Sequence, residues 1–310
     1  MLSRRRFLAR ASQLSLLSAV GPSVSLAQEP LMQRSIPKTG ERLPVIGLGT
    51  FRTFDVGGDS AELEPLRRVT ELFFAQGGMV VDSSPQYGPA ETMFGRVLGD
   101  IQSPGDFFAA TKVSATGRNQ GLQQMDSSAT KMGVEQIDLM QIHNLRDWET
   151  HLPVLKERKA QGIYRYIGIS ASREELYEEY ESVMRSEPLD FIQINYSVAE
   201  RRAADVILPL AMDLGMAVLI NRPFVAGALF PHVANQSLPD WAAEFDCVSW
   251  AQFFLKFVLS HPAVTCAIQA TTSTEHLLDN LDAGRGRMPD EDHRRRMVEL
   301  IGLSGRPPWS

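Results

Sequence analysis

A chain of 310 residues, 44% hydrophobic and 22% charged, has ordinary globular composition with ample apolar material for a core. Its net charge of -6 argues against a surface built for nucleic acid or an anionic membrane. The length allows one large domain or two medium ones, and α/β barrels commonly use about 250 residues as one.

The chain begins with a basic segment, Ser3-Arg4-Arg5-Arg6-Phe7-Leu8, followed by an apolar stretch from Leu14 to Leu26 lightened by serines. Ser25-Leu26-Ala27 offers small residues at the two positions a signal peptidase reads. The apolar run is too short and too polar to span a bilayer. The expectation is a leader over residues 1–27, cleaved after Ala27, and a mature fold over residues 30–310 with no stable membrane anchor. The paired arginines before Phe7-Leu8 resemble a twin-arginine (Tat) signal. That resemblance implies the Tat export machinery as a partner and a bacterial periplasm as the destination.

Ile36 to Val45, with Lys38-Thr39-Gly40-Glu41 between short apolar pieces, reads as a hairpin ahead of the main fold. Val45 to Thr50 is the first core strand, and a helix follows from about Glu62 to Gln76, with Leu66, Val69 and Phe73 on one face. The alternation then repeats. Strands are expected at 79–82, 107–112, 137–143, 166–170, 191–195, 217–220 and 264–268. Helices are expected at 90–98, 122–132, 151–161, 173–186, 203–213, around 250–258 and at 274–283, and a terminal helix at 289–300. Eight strand-then-helix units in about 240 residues predict a (β/α)8 TIM barrel with an N-terminal β-hairpin and a C-terminal extra helix. A doubly wound sheet is disfavoured, because Gly47-x-Gly49 lacks the third glycine of a dinucleotide turn. Cys247 and Cys266 read as two buried free thiols, and no His/Cys set has metal-binding spacing.

Polar residues close three consecutive apolar runs: Asp82 after strand two, Lys112 after strand three and His143 after strand four. Tyr87 follows Asp82 by five residues, in a loop constrained by Pro85, Gly88 and Pro89. Singly, each has a bland explanation: a solvated lysine, a core histidine or an Asx turn. In register at one barrel mouth, the four suit proton transfer to a carbonyl oxygen. A tyrosine titrates near pH 10, and a nearby ammonium favours its phenolate. Lowering that pKa by two units takes roughly 2.7 kcal/mol, within reach of one partly desolvated lysine. The aspartate would hold the lysine, and the histidine would direct the carbonyl.

These stretches, Asp82-Ser83-Ser84-Pro85-Gln86-Tyr87-Gly88-Pro89-Ala90-Glu91, Ala110-Thr111-Lys112 and Gln141-Ile142-His143, resemble the aldo/keto reductases. The resemblance runs from about Ile36 to Asn280. It implies a TIM barrel that moves hydride between NADP(H), less often NAD(H), and an aldehyde, a ketone or the corresponding alcohol. In it Tyr87 is the general acid/base beside Asp82, Lys112 and His143. It implies cofactor contacts at Gly49, Thr50 and Phe51, at Asp82, at Ser170 and Gln193, at Arg222 and Phe224, at Thr271 and Thr272, and at Asn280. The chain departs from the family pattern in three places. Ala171 stands where Asn is common, Asn221-Arg222-Pro223-Phe224 replaces a stacking Tyr, and Ala270 and His276 replace two cations near the adenosine 2′-phosphate. NADP(H) is favoured by the family pattern, and the missing cations admit NAD(H). The export route carries folded proteins, which suits an enzyme that takes up its cofactor before leaving the cytoplasm.

The loop 52–61, the segment 222–240 with Phe224, Phe230 and Trp241, and the tail with Trp309 are expected to line an apolar pocket. Two other function classes fit parts of the pattern. One is a barrel that holds a dinucleotide without turnover, in a regulatory or binding role. The other is a lyase or isomerase using Lys112 as a Schiff base.

Overall fold

A computed structural model describes residues 29–101 and 105–302. The expected leader over residues 1–27 and Trp309 lie outside the described residues. The described chain opens with an antiparallel hairpin, β1 (Gln33–Ser35) and β2 (Arg42–Pro44). Eight parallel strands follow: β3 (Ile46–Gly49), β4 (Val80–Asp82), β5 (Phe108–Val113), β6 (Ile137–His143), β7 (Tyr164–Ala171), β8 (Phe191–Asn195), β9 (Ala217–Asn221) and β10 (Cys266–Gln269). They close into a barrel in which β10 pairs with both β9 and β3.

The helices between them are α1 (Ser60–Ala75), α2 (Ala90–Asp100), α3 (Arg118–Met132), α4 (Trp148–Ala160), α5 (Tyr177–Ser186), α6 (Ile207–Asp213), α7 (Leu229–Val233), α8 (Trp250–Leu259) and α9 (Thr274–Asp282). The helix α10 (Glu291–Ile301) is the extra one after the barrel. The (β/α)8 fold expected from the alternation is therefore present, hairpin included.

The strands read as apolar runs because helices cover them outside and side chains fill them inside. Alternate residues serve the two sides. Val81, Ala109, Ile142, Ile167, Ile192 and Val218 join the large cluster that includes the helices. Val80, Phe108, Leu139, Tyr166, Phe191 and Leu219 form an inner cluster with Ile36 and Leu43 of the hairpin segment. The hairpin thus plugs the base of the barrel. The rings of Phe108, Tyr166 and Phe191 meet there at 5.4–5.8 Å, and Arg165 and Tyr166 both donate to Glu41.

The same inward parity leads from apolar to polar along each strand. Two residues beyond Val80 stands Asp82, two beyond Ala110 stands Lys112, and Leu139 leads to Gln141 and then His143. On the other side, Phe191 leads to Gln193. The base of the barrel is oily and its mouth carries the chemistry.

Local differences from the expected elements have local causes. The helix expected from residue 173 opens as a 3-10 turn, Glu174–Leu176, before α5. The one expected from 203 opens as Arg202–Ala204 before α6, whose Pro209 sits in the first turn where no N–H is needed. Between β9 and α8 the chain adds α7 and a 3-10 turn, Asp240–Phe245. Gly227, Pro231 and Pro239 break the periodicity that would have announced them. Among the described residues no helix is long and apolar enough to cross a membrane. Cys247 and Cys266 are both free and buried.

Candidate active site

Asp82 ends β4 and pairs in register with Ala110 of β5, so Lys112 stands one inward step farther along the barrel. The lysine nonetheless reaches the aspartate. Its Nζ lies 2.7 Å from each carboxylate oxygen and 2.8 Å from the Ser83 carbonyl. Both residues are buried, Lys112 at 1% exposure and Asp82 at 3%. Burial pulls the ammonium's pKa down, but Asp82 and Tyr87 outweigh it and the net direction is up. The lysine is a fixed cation.

Tyr87 follows β4 in a tight turn. Its N–H donates to the Ser84 carbonyl at 3.0 Å, and its own carbonyl accepts from Ala90 at the start of α2 at 3.2 Å. Gly88 has φ 61°, in the left-handed region, and a Cβ there would lie 2.3 Å from Asp55 Oδ1. Glycine is required on both counts. The Tyr87 ring stands 5.3 Å from Lys112 Nζ and 4.9 Å from the ring of Phe51.

The phenol departs from the expectation that Lys112 would lower its pKa. Burial raises it most, Lys112 pulls it down, Asp82 pushes it up, and the net direction is upward. Loss of water around the phenolate outweighs one ammonium whose charge is already shared with a carboxylate. Tyr87 is a phenol, not a phenolate, at neutral pH.

His143 ends β6, its ring edge-on to Tyr87 at 5.8 Å between centroids. Its Nδ1 lies 3.0 Å from the Ser84 hydroxyl. Burial, and after it the charge of Lys112, pulls the imidazole down to about 3. At neutral pH it is uncharged and can offer one N–H.

All four groups line one cleft of about 680 Å³ at the barrel mouth, together with Phe224 and Phe230 on the opposite wall. Gly49, Thr50, Phe51, Ser170 and Arg222 line it too. The Thr50 hydroxyl donates to Ser83 Oγ at 2.8 Å. Arg222, with φ 51°, places Nη2 3.5 Å from Glu200 Oε1. Burial raises the Glu200 carboxyl more than Arg222 lowers it.

Gln193 is fully buried and pairs in register with Ser170. It accepts from Gln141 at 2.9 Å, while its own Nε2 has no partner among the described residues. Gln269, a lining residue, accepts from Asn280 at 2.9 Å and leaves its Nε2 equally unpaired.

Four of the residues singled out from the sequence lie off the cleft lining: the fully buried Gln193, and Thr271, Thr272 and Asn280. The Thr271 hydroxyl accepts from Ser273 N–H in the turn before α9, Thr272 is exposed beside it, and Asn280 faces Gln269. Trp241 does not line the cleft either. It packs on Phe253 at 5.7 Å and under the guanidinium of Arg296 at 4.2 Å, because α8 and α10 offer it an apolar face away from the mouth.

Sequence reasoning passed over Ser84, Asn144 and Ser172. Asn144, at φ 54°, accepts from both the N–H and the hydroxyl of Ser172, at 2.8 and 3.0 Å. Asparagine directly after an apolar strand is the residue that tolerates the left-handed region, and that signal marks it. No group of three or more His, Cys, Asp or Glu side chains among the described residues is placed to hold a metal ion.

Known proteins share this architecture. An aldo-keto reductase from Bacillus halodurans in its holo form superposes with a TM-score of 0.71 at 18% identity, covering 90% of this chain and 99% of that one. An aldo/keto reductase from Klebsiella pneumoniae, solved in complex with NADP and acetate, gives 0.71 at 20% identity, covering 86% and 94%. In sequence, the aldo-keto reductase YhdN of Bacillus subtilis is 27% identical over 217 residues, 63% of this chain. The chain spans only 62% of that relative's length. The profile described as the Aldo/keto reductase family matches residues 45–297. The chain belongs to the aldo/keto reductase family.

Proposed function

We propose that this protein is an oxidoreductase that moves hydride between NADP(H) or NAD(H) and an aldehyde, a ketone or the corresponding alcohol, with Tyr87 as general acid/base. The observation that carries the proposal is the buried Lys112–Asp82 pair, with the Lys112 ammonium 5.3 Å from the centre of the Tyr87 ring, in one cleft with a neutral His143.

The residues present fit a dinucleotide. Ser170 and the unpaired Nε2 of Gln193, adjacent in register, suit a carboxamide, and Gln269 adds a second unpaired donor. Arg222 and Phe224 on the wall suit a phosphate and a ring face. Gly49, Thr50 and Phe51 supply the near side. Thr271 and Thr272 before α9, and Asn280 within it, would take the adenosine end, where no lysine or arginine occupies 270 or 276. When bound, the nicotinamide supplies or accepts the hydride.

The chain's own groups handle the proton. In reduction Tyr87, protonated at neutral pH, donates to the carbonyl oxygen as negative charge develops there. Lys112 stabilises the phenolate that remains, and Asp82 holds Lys112 charged and in place. His143 donates its N–H to the same oxygen and orients the carbonyl. In oxidation Tyr87 works in reverse, as a base.

Fluorescence titration with NADPH and NADH, followed by assay against a panel of carbonyls, tests the proposal. Binding of either cofactor with turnover supports it. Cofactor retained through purification and never reoxidised by any carbonyl would point instead to a dinucleotide-binding barrel without catalysis.

We also propose export through the Tat pathway to the periplasm, supported by the arginine motif and cleavage pattern of residues 3–27. Fractionation of cells expressing the full chain tests this. Replacement of Arg4, Arg5 and Arg6 by lysine should keep the protein in the cytoplasm unprocessed.

A further inference from the structure

The imidazole of His143 has two nitrogens, and the chemistry above requires one of them to carry the proton. Nδ1 lies 3.0 Å from the Ser84 hydroxyl. No described residue partners Nε2, and the ring lines the cleft.

Ser84 settles how the pair is arranged. Its oxygen already accepts the backbone N–H of Gln86 at 3.2 Å. The residue is fully buried, so its hydroxyl proton needs an acceptor inside the protein. Among the described residues the lone pair of Nδ1 is the acceptor within reach. The reverse arrangement, with Nδ1–H donating to Ser84, strands that buried hydroxyl proton. It also turns the Nε2 lone pair toward the cleft, where it would repel a carbonyl oxygen. The neighbouring Ser83 has a separate task, since its hydroxyl accepts from Thr50 at 2.8 Å.

We propose that Ser84 is a positioning residue: by donating to His143 Nδ1 it commits the imidazole to its Nε2–H form and presents a donor to the cleft. The role of that donor rests on the hydride-transfer reading, whereas the protonation state of the two nitrogens does not. Burial and Lys112 keep the ring uncharged at neutral pH, so one nitrogen carries the proton and the other a lone pair.

The test is nitrogen–proton correlation NMR of protein carrying 15N-labelled histidine, without cofactor or substrate, at pH 7. The His143 resonances are assigned by their loss in His143→Gln. The wild-type spectrum should show a protonated Nε2 and an unprotonated Nδ1 shifted as a hydrogen-bond acceptor. Ser84→Ala should move Nδ1 toward the position of a free lone pair and admit the Nδ1–H form, and Ser84→Thr should restore the wild-type pattern. With any carbonyl the wild type turns over, kcat/KM should fall about tenfold in Ser84→Ala, the loss expected for one neutral hydrogen bond, and recover in Ser84→Thr.

A wild-type spectrum with the proton on Nδ1 overturns the proposal. So does a Ser84→Ala spectrum whose Nδ1 resonance has not moved. Where Ser84→Ala does not fold, the wild-type spectrum decides alone. Absence of turnover with every carbonyl would sink the hydride-transfer reading and leave the NMR result standing.

Discussion

Lys112 Nζ stands 2.7 Å from Asp82 Oδ1, and the two side chains are 1% and 4% exposed. Neither charge has water to fall back on, so each depends on the other. Lys112→Met should leave a buried carboxylate uncompensated and lower stability by about 3–5 kcal/mol, read from urea unfolding. Adding Asp82→Asn should recover much of that loss without recovering turnover. A loss under about 1 kcal/mol in the single variant would mean that the pair is solvated in solution.

Removing the Tyr87 hydroxyl addresses the chemistry directly. Tyr87→Phe should lower kcat by about 10²–10⁴-fold while cofactor titration and unfolding stay near wild type. Near-normal kcat would remove the residue from its role.

The raised pKa of Tyr87 gives its pH dependence a sign. Carbonyl reduction should be level through neutral pH and decline only in the alkaline range, where a phenol titrating above 10 loses its proton. Alcohol oxidation should rise toward high pH, since it draws on the phenolate. A pH–rate profile in both directions checks this, and a Tyr87-dependent limb near pH 7 would contradict it.

His143 links acid to stability. Its folded pKa is depressed to about 3 by burial and then by Lys112, whereas an unfolded histidine titrates near 6.5. The unfolded chain therefore binds a proton that the folded chain refuses. The associated stability is present above pH 6.5 and is lost as pH falls toward 3, by roughly 3–5 kcal/mol in all. Urea unfolding at pH 7 and pH 4 should show a smaller difference for His143→Gln than for the wild type.

Gly88 is constrained both by its φ of 61° and by Asp55, whose Oδ1 would lie 2.3 Å from an added Cβ. Gly88→Ala should cost about 1–3 kcal/mol and displace the turn that carries Tyr87. Pairing it with Asp55→Ala should relieve the clash and recover part of kcat, leaving the backbone cost behind. No recovery in the double variant would assign the whole effect to the backbone.

The barrel was legible because both faces of each strand are covered, which writes every strand as an apolar run with a polar end. Asp82, Lys112 and His143 could be picked out for the same reason. The hairpin edges were harder to read: Gln33, Ser35 and Arg42 are exposed and carry no apolar alternation. Contacts between distant residues left no local mark. Nothing near Gln193 announces Gln141, 52 residues away, and nothing near Ser84 announces His143. The direction of the Tyr87 shift was also illegible, since it turns on how much water the folded cleft excludes. Off the lining, Thr271 and Asn280 are held by Ser273 and Gln269, partners that only the closed barrel brings to them.

The plug at the base has a practical consequence for handling the protein. Met32 N–H donates to Gly284 and Arg285 donates to the Glu29 carbonyl, which pins the start of the described chain beneath the barrel. The mouth with Tyr87 opens at the opposite end. A purification tag or surface tether joined ahead of Glu29 should therefore leave ligand access unobstructed, and immobilised protein should titrate cofactor as the free protein does.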